Sequence, residues 1–159
     1  MRAAGLLATV GLLLSGVNAH ADVLIRHVTV HDGTGAPPFV ADVRIQGDRI
    51  AAIAPSLEPL PGEPVRDLHG LALAPGFIDM HSHGNGGLLE DLDAATVSRQ
   101  GVTTIVVGQD GESDFPLRDW FAKLTSTPPA INVASMVGHA TLRLQAMGKG
   151  LYRPATAQE

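Results

Sequence analysis

From Val23 onward the apolar positions fall in short runs. Val23, Leu24, Ile25, Val28 and Val30 make a β-favouring stretch that Asp32-Gly33-Thr34-Gly35 brings to an end. Polar and apolar residues alternate in Asp42-Val43-Arg44-Ile45; Gln46-Gly47-Asp48 turns the chain, and Arg49 to Ile53 returns it. That pattern predicts a hairpin of half-buried strands. Pro55, Pro59, Pro61 and Pro64 mark a loop, and Leu71-Ala72-Leu73 reads as one more short strand. Residues 22–74 are therefore expected to form a small β-sandwich or β-roll with nothing catalytic in it.

The pattern changes at Pro75-Gly76. Phe77 to Met80 is a short apolar run of the kind found in strands buried on both faces. Leu88 to Gln100, carrying Leu88, Leu89, Leu92, Ala95 and Val97, predicts a helix that stops at Gly101. Val102 to Val107 predicts a second strand, Leu117 to Leu124 a helical stretch, and Ile131 to Val137 a third strand. Strands alternating with helices predict an α/β fold with a parallel sheet. A closed (β/α)8 barrel takes roughly 250 residues. Residues 75–159 could supply its first three βα units, so the barrel is expected to be incomplete in this chain.

Ahead of the first strand, Arg2 gives a positive start and Ala3 to Val17 is apolar. Ala19-His20-Ala21 then supplies a small-x-small cleavage pattern, so residues 1–21 read as a signal peptide cut after Ala21. The apolar run is short for a bilayer span, and no cysteine follows it that could take a lipid. The mature chain is expected to be periplasmic or secreted, with no membrane association after cleavage.

Composition narrows the chemistry. The 159 residues are 45% hydrophobic and 17% charged, which is globular composition. The net charge of -5, with no basic cluster, gives no reason to expect a nucleic-acid partner. With no cysteine, disulfides, thiolate metal sites and cysteine nucleophiles are all excluded. The chain also lacks a Gly-x-Ser-x-Gly elbow, a phosphate-cradling Gly-x-x-x-x-Gly-Lys loop and a His-Glu-x-x-His helix.

The sharpest chemical signal is Asp79-Met80-His81-Ser82-His83. On a strand, alternate residues share a face, so Asp79, His81 and His83 would point one way and Ile78 and Met80 the other. Three ionisable groups on one face of a buried strand are costly unless something pairs them, and a divalent metal would do so. Neutral imidazole suits zinc, and Asp79 could act as an outer acceptor fixing a ring tautomer. The plain alternative is a pair of surface histidines beside Gly84-Asn85-Gly86-Gly87. Asp110, in Gly108-Gln109-Asp110-Gly111, follows a parallel strand and so lies at the C-terminal rim where barrel sites are built. It reads either as a metal ligand or as an Asp-Gly turn. His139 and Arg143 follow the third strand at the same rim; they read as substrate contacts or as a loop histidine and a solvated charge.

Pro75-Gly76-Phe77-Ile78-Asp79-Met80-His81-Ser82-His83 resembles the first barrel strand of the amidohydrolase superfamily. Gly101-Val102-Thr103-Thr104-Ile105-Val106-Val107-Gly108 resembles its second strand. Asn132-Val133-Ala134-Ser135-Met136-Val137-Gly138-His139 resembles the third, in the N-acyl-D-amino-acid deacylase branch. The resemblance implies a metal-dependent amide hydrolase holding one or two zinc ions and acting on a small N-acyl amino acid or related amide. It implies metal binding by His81 and His83, and substrate binding by His139 and Arg143. The branch often places a cysteine metal ligand where this chain has Asp110, and a carboxylate keeps the ligand role with a harder donor. The family's further metal-binding histidines and its catalytic aspartate come from later strands, so no catalytic base is assigned. The alternatives are a cyclic-amide hydrolase of the hydantoinase or dihydroorotase kind, and a truncated exported fragment without catalysis.

Overall fold

A computed structural model describes residues 22–148 and 152–159, so the signal-peptide reading of residues 1–21 lies outside the described residues. The chain divides into two compact units between Ala74 and Pro75. Among the described residues no helix is long and apolar enough to cross a membrane.

The first unit is a five-stranded sheet. It comprises β1 (Val23–Val30), β2 (Phe39–Gln46), β3 (Arg49–Ala54), β4 (Val65–Asp67) and β5 (Ala72–Leu73). β1 sits inside the sheet: β2 pairs antiparallel along one edge, and β4 and then β5 pair parallel along the other. The expected hairpin is β2–β3, with Gln46 opposite Arg49 across the turn Gly47-Asp48. Among the described residues the expected small β domain is one hydrogen-bonded sheet, with strands paired along both edges of β1. Val65–Asp67, within the stretch left without a predicted element, forms β4. Val28, Val30, Ala41 and Val43 make the core, with Ile25, Leu68 and Leu73 packed against it.

A bulge shapes β1. Between the pairs Ile25–Val43 and Val28–Ala41, Arg26 and His27 lie opposite the single residue Asp42, and His27 takes a left-handed φ of 57°. Asp42 is fully buried. Its carboxylate accepts from the His27 N–H at 3.0 Å, the Leu57 N–H at 3.0 Å and Arg26 Nε at 3.1 Å. Burial alone would raise its pKa, but these donors and the Arg26 charge outweigh it and hold the group below the usual carboxylate range.

The second unit is a three-stranded parallel sheet in the order β6 (Phe77–Asp79), β7 (Val102–Val107), β8 (Asn132–Ser135). The helices are α1 (Ala95–Ser98), α2 (Leu117–Ser126) and α3 (His139–Met147). β7 is the predicted second strand, residue for residue. α2 turns Trp120 and Leu124, one helical turn apart, into a core with Ile105, Val107, Leu88, Ala94 and Ile131. Two expectations are corrected. The helix over Leu88–Gln100 shrinks to Ala95–Ser98: Ala94 takes a left-handed φ of 45°, and the residues before it run in hydrogen-bonded turns that still bury Leu88 and Ala94. The first strand is not buried on both faces; Phe77, Ile78 and Met80 are 67%, 60% and 60% exposed, and among the described residues β6 is a sheet edge that contributes nothing to the core.

Asp42→Ala would strip two part-buried backbone N–H groups and Arg26 of their acceptor. The expected cost to the first sheet is about 2 kcal/mol, seen as roughly 30-fold faster hydrogen exchange at the β1–β2 amides near neutral pH. A carboxylate with a depressed folded pKa stabilises above its unfolded pKa and loses that contribution as pH falls through the folded value. The gap between wild type and variant should therefore narrow on acidification; a gap that stays constant into strong acid would contradict the account.

Candidate metal centre

Parallel pairing brings the C-terminal ends of the three strands to one edge. Asp79 pairs with Ile105, and beyond the end of β6 the Ser82 N–H still reaches the Val106 carbonyl at 2.9 Å. His81, Ser82 and His83 thus leave β6 alongside the residues that leave β7, where Gly108-Gln109-Asp110 follows Val107. The turn after β7 is tight: Gly108 has φ 87°, and a Cβ there would stand 2.5 Å from the Met136 carbonyl oxygen.

There Asp110 meets both histidines. Its Oδ1 lies 3.0 Å from His81 Nε2, and its Oδ2 lies 3.0 Å from His83 Nε2. The rings are 5.7 Å apart between centroids. An ionised carboxylate only accepts, so each Nε2 carries the donated proton in this arrangement. The His81 hydrogen bond is the chief reason that the Asp110 carboxyl sits below its usual range. Partial burial opposes it, and the His81 charge and the His83 bond and charge add to it.

The ligand-type atoms of His81, His83 and Asp110 all lie within 4.8 Å of one another. The three side chains are 59%, 76% and 56% exposed, so an ion could reach them from solvent. Loss of the two Nε2 protons would leave two imidazole lone pairs and a carboxylate converging on one spot. Two nitrogens and an oxygen are a donor set that fits zinc. Asp79 does not act as the expected outer acceptor on a ring: its Oδ1 takes the His81 backbone N–H at 3.1 Å, because the chain turns out of the strand there.

Beside the triad lies a cleft of about 450 Å³ lined by Ser82, His83, Asn85, Gly108, Gln109, Asp110, Glu112, Ser113 and Asp114. Asn85 Nδ2 donates to Asp114 across it at 2.9 Å.

The amidohydrolase family model matches residues 64–157. The chain belongs to the amidohydrolase family. It is 39% identical to the N-acyl-D-aspartate deacylase of Alcaligenes xylosoxydans xylosoxydans over 84% of this chain and 31% of that protein. The N-acyl-D-glutamate deacylase of Bordetella bronchiseptica, solved with zinc and a phosphonate mimic of the tetrahedral intermediate, superposes with a TM-score of 0.75 at 36% identity. That match covers 87% of this chain and 34% of the solved one. A D-aminoacylase studied for its binuclear metal centre matches with a TM-score of 0.73 at 37% identity, over 86% of this chain and 33% of that one. The chain spans about a third of the length of these relatives.

His139 and Arg143 of this amidohydrolase chain are not brought to the triad's cleft. They lie on α3, one turn apart, and line a separate hollow with Leu142, Ala146, Met147, Ala155 and Glu159. Arg143 donates to the Arg153 carbonyl. α3 was not foreseen, since Gly138-His139 reads as strand exit. Its N-terminus is tied to the loop after Asp110: Thr141 N–H reaches Gly111 O at 3.1 Å, Ser113 N–H reaches Thr141 Oγ1 at 2.9 Å, and Gly138 N–H reaches Ser113 Oγ at 3.0 Å. Gly138 permits this approach, for a Cβ there would stand 2.5 Å from the Gly111 carbonyl oxygen. Sequence reasoning also passed over Gln109, Glu112, Ser113 and Asp114. Their clustering after a strand was the available signal.

Gly108→Ala would combine a left-handed φ with a backbone clash. It is expected to cost about 2 kcal/mol or more, read as a lower urea midpoint in the fluorescence of the buried Trp120. An unchanged midpoint would contradict the tight turn.

Proposed function

We propose that the protein is a zinc-dependent deacylase of N-acyl-D-amino acids, exported by its leader to the periplasm or the medium. We propose also that residues 75–159 form the first three βα units of a (β/α)8 barrel. The observation that carries the reading is the convergence of His81, His83 and Asp110 at the C-terminal ends of parallel strands. It is supported by deacylase relatives whose likeness runs through most of the chain, and by a neighbour whose structure holds zinc.

In this reading His81 and His83 each present Nε2, and Asp110 presents a carboxylate oxygen, to one or two zinc ions. Bound zinc would lower the pKa of a coordinated water and polarise an amide carbonyl. The chain's own contributions are positional. Asp79 fixes the backbone at His81 through its N–H, and the Gly108 turn aims Asp110 back at both rings. The open cleft beside them receives the small acyl amino acid. Hydrolysis would break the amide C–N bond and release the acyl group as a carboxylic acid and the amino acid as a free amine.

Purified from its native gene, the protein is expected to carry near-stoichiometric zinc by elemental analysis and to release amino acid from N-acetyl-D-amino acids. His81→Ala and His83→Ala should each weaken zinc binding by roughly 100-fold or more and abolish release, since each removes one of few ligands. A wild-type protein that hydrolyses these amides without metal, or a His81→Ala variant that keeps both metal and activity, would overturn the proposal.

A further inference from the structure

Gln109 stands next to Asp110 in the cleft lining, and its side-chain amide is spent on the backbone. Its Nε2 donates to the Met80 carbonyl at 2.6 Å and to the Val106 carbonyl at 2.7 Å. The two acceptors sit on either side of the site's scaffold. Met80 immediately precedes His81, in the segment just past the end of β6. Val106 lies in β7 and also accepts from the Ser82 N–H. The opposite orientation of the amide would set its oxygen against two carbonyl oxygens, so the hydrogen bonds decide the orientation. As a result Oε1 is buried with no donor among the described residues. A buried unpaired acceptor is a cost, and one found in a native site calls for an explanation.

We infer that Gln109 is the positioning residue of the candidate metal centre: its carboxamide ties the backbone that presents His81 and His83 to the end of β7 that presents Asp110. The inference rests on the proposed metal centre and goes beyond it. The His81–His83 segment lies past the last ladder pair of β6, where the Ser82 N–H to Val106 carbonyl bond continues to tie it to β7. The Gln109 amide adds a second restraint, from the residue adjoining the carboxylate. Both Asp110 contacts are 3.0 Å, and a shift of an ångström in the Met80–His83 backbone would break them. Partners that orient metal ligands in this indirect way change affinity by roughly 10–100-fold when removed.

The test is a cobalt(II) titration of the protein as its gene encodes it, followed by visible absorption and by competition with a chelator. Gln109→Met keeps the side-chain length and removes both donors. It is expected to bind cobalt roughly tenfold or more weakly and to shift the ligand-field bands, while the urea midpoint reported by Trp120 moves little. Gln109→Asn keeps the amide on a shorter stem and should fall between the two; if Gln109→Met does not fold, it carries the comparison. Asn132→Ala is the control. It removes a like amide staple, Asn132 Nδ2 to the Thr103 carbonyl at 3.1 Å, at the opposite end of the same sheet. It should leave affinity and bands unchanged. Wild-type affinity and bands in the Gln109 variants, or equal losses in the Gln109 and Asn132 variants, would overturn the inference and leave the metal centre standing. A wild-type protein that binds no cobalt would overturn the metal centre itself, and the inference with it.

Discussion

The two oxygens of the Asp110 carboxylate each face an imidazole nitrogen at 3.0 Å, and the second unit is arranged so that this can happen. The histidines leave one parallel strand and the aspartate leaves the next, so the contact exists only while β6 and β7 keep their register. The register is set by the β6–β7 ladder, and β7 itself is held from below by a core in which its Ile105 and Val107 pack with Trp120 and Leu124 of α2. It is held at the rim by the Gly108 turn and by the hydrogen bonds joining the Asp110 loop to the start of α3. Parallel strands all end at the same edge, which is why residues 27 or more positions apart in sequence can meet there without any loop reaching across the sheet.

A second aspartate shows how different a purely structural carboxylate looks. Asp42 is fully buried at a bulge and is satisfied by two backbone N–H groups and an arginine. Every one of its contacts closes the first sheet on itself. Asp110 is more than half exposed and spends its oxygens on two rings that a metal ion could take over. Both carboxylates are more acidic than usual, so acidity alone does not tell them apart; exposure and the nature of the partners do.

Much of the second unit was legible because hydrophobic patterning reports strands well when they are buried. Val102–Val107 is β-branched throughout its centre and became β7 as read. His81 and His83 do meet, but beyond the end of β6, so strand alternation is not what places them; the strand preceding Asp110 put it at the same rim. What failed followed from a single limit: periodicity reports which positions could be buried, not which hydrogen bonds the backbone will find. Leu88 and Ala94 are buried as their apolar character implies, but through turns with a left-handed Ala94 instead of a helix. Phe77 and Ile78 are apolar yet exposed, because burial of a strand's faces requires elements packed on them, and among the described residues β6 contributes nothing to the core. Gln109 offered no pattern at all; its importance lies in two carbonyls that only the folded chain brings within reach. His139 and Arg143 were placed by family likeness, and α3 carries them to a different hollow from that of the triad.

Zinc K-edge X-ray absorption on the purified protein tests the centre most directly. The account predicts a first shell of nitrogen and oxygen at about 2.0–2.2 Å, with the outer-ring scattering of coordinated imidazole, and a loss of both the carboxylate contribution and most bound zinc in Asp110→Ala. A protein without bound zinc, or a zinc shell that is identical in wild type and in Asp110→Ala, would contradict it.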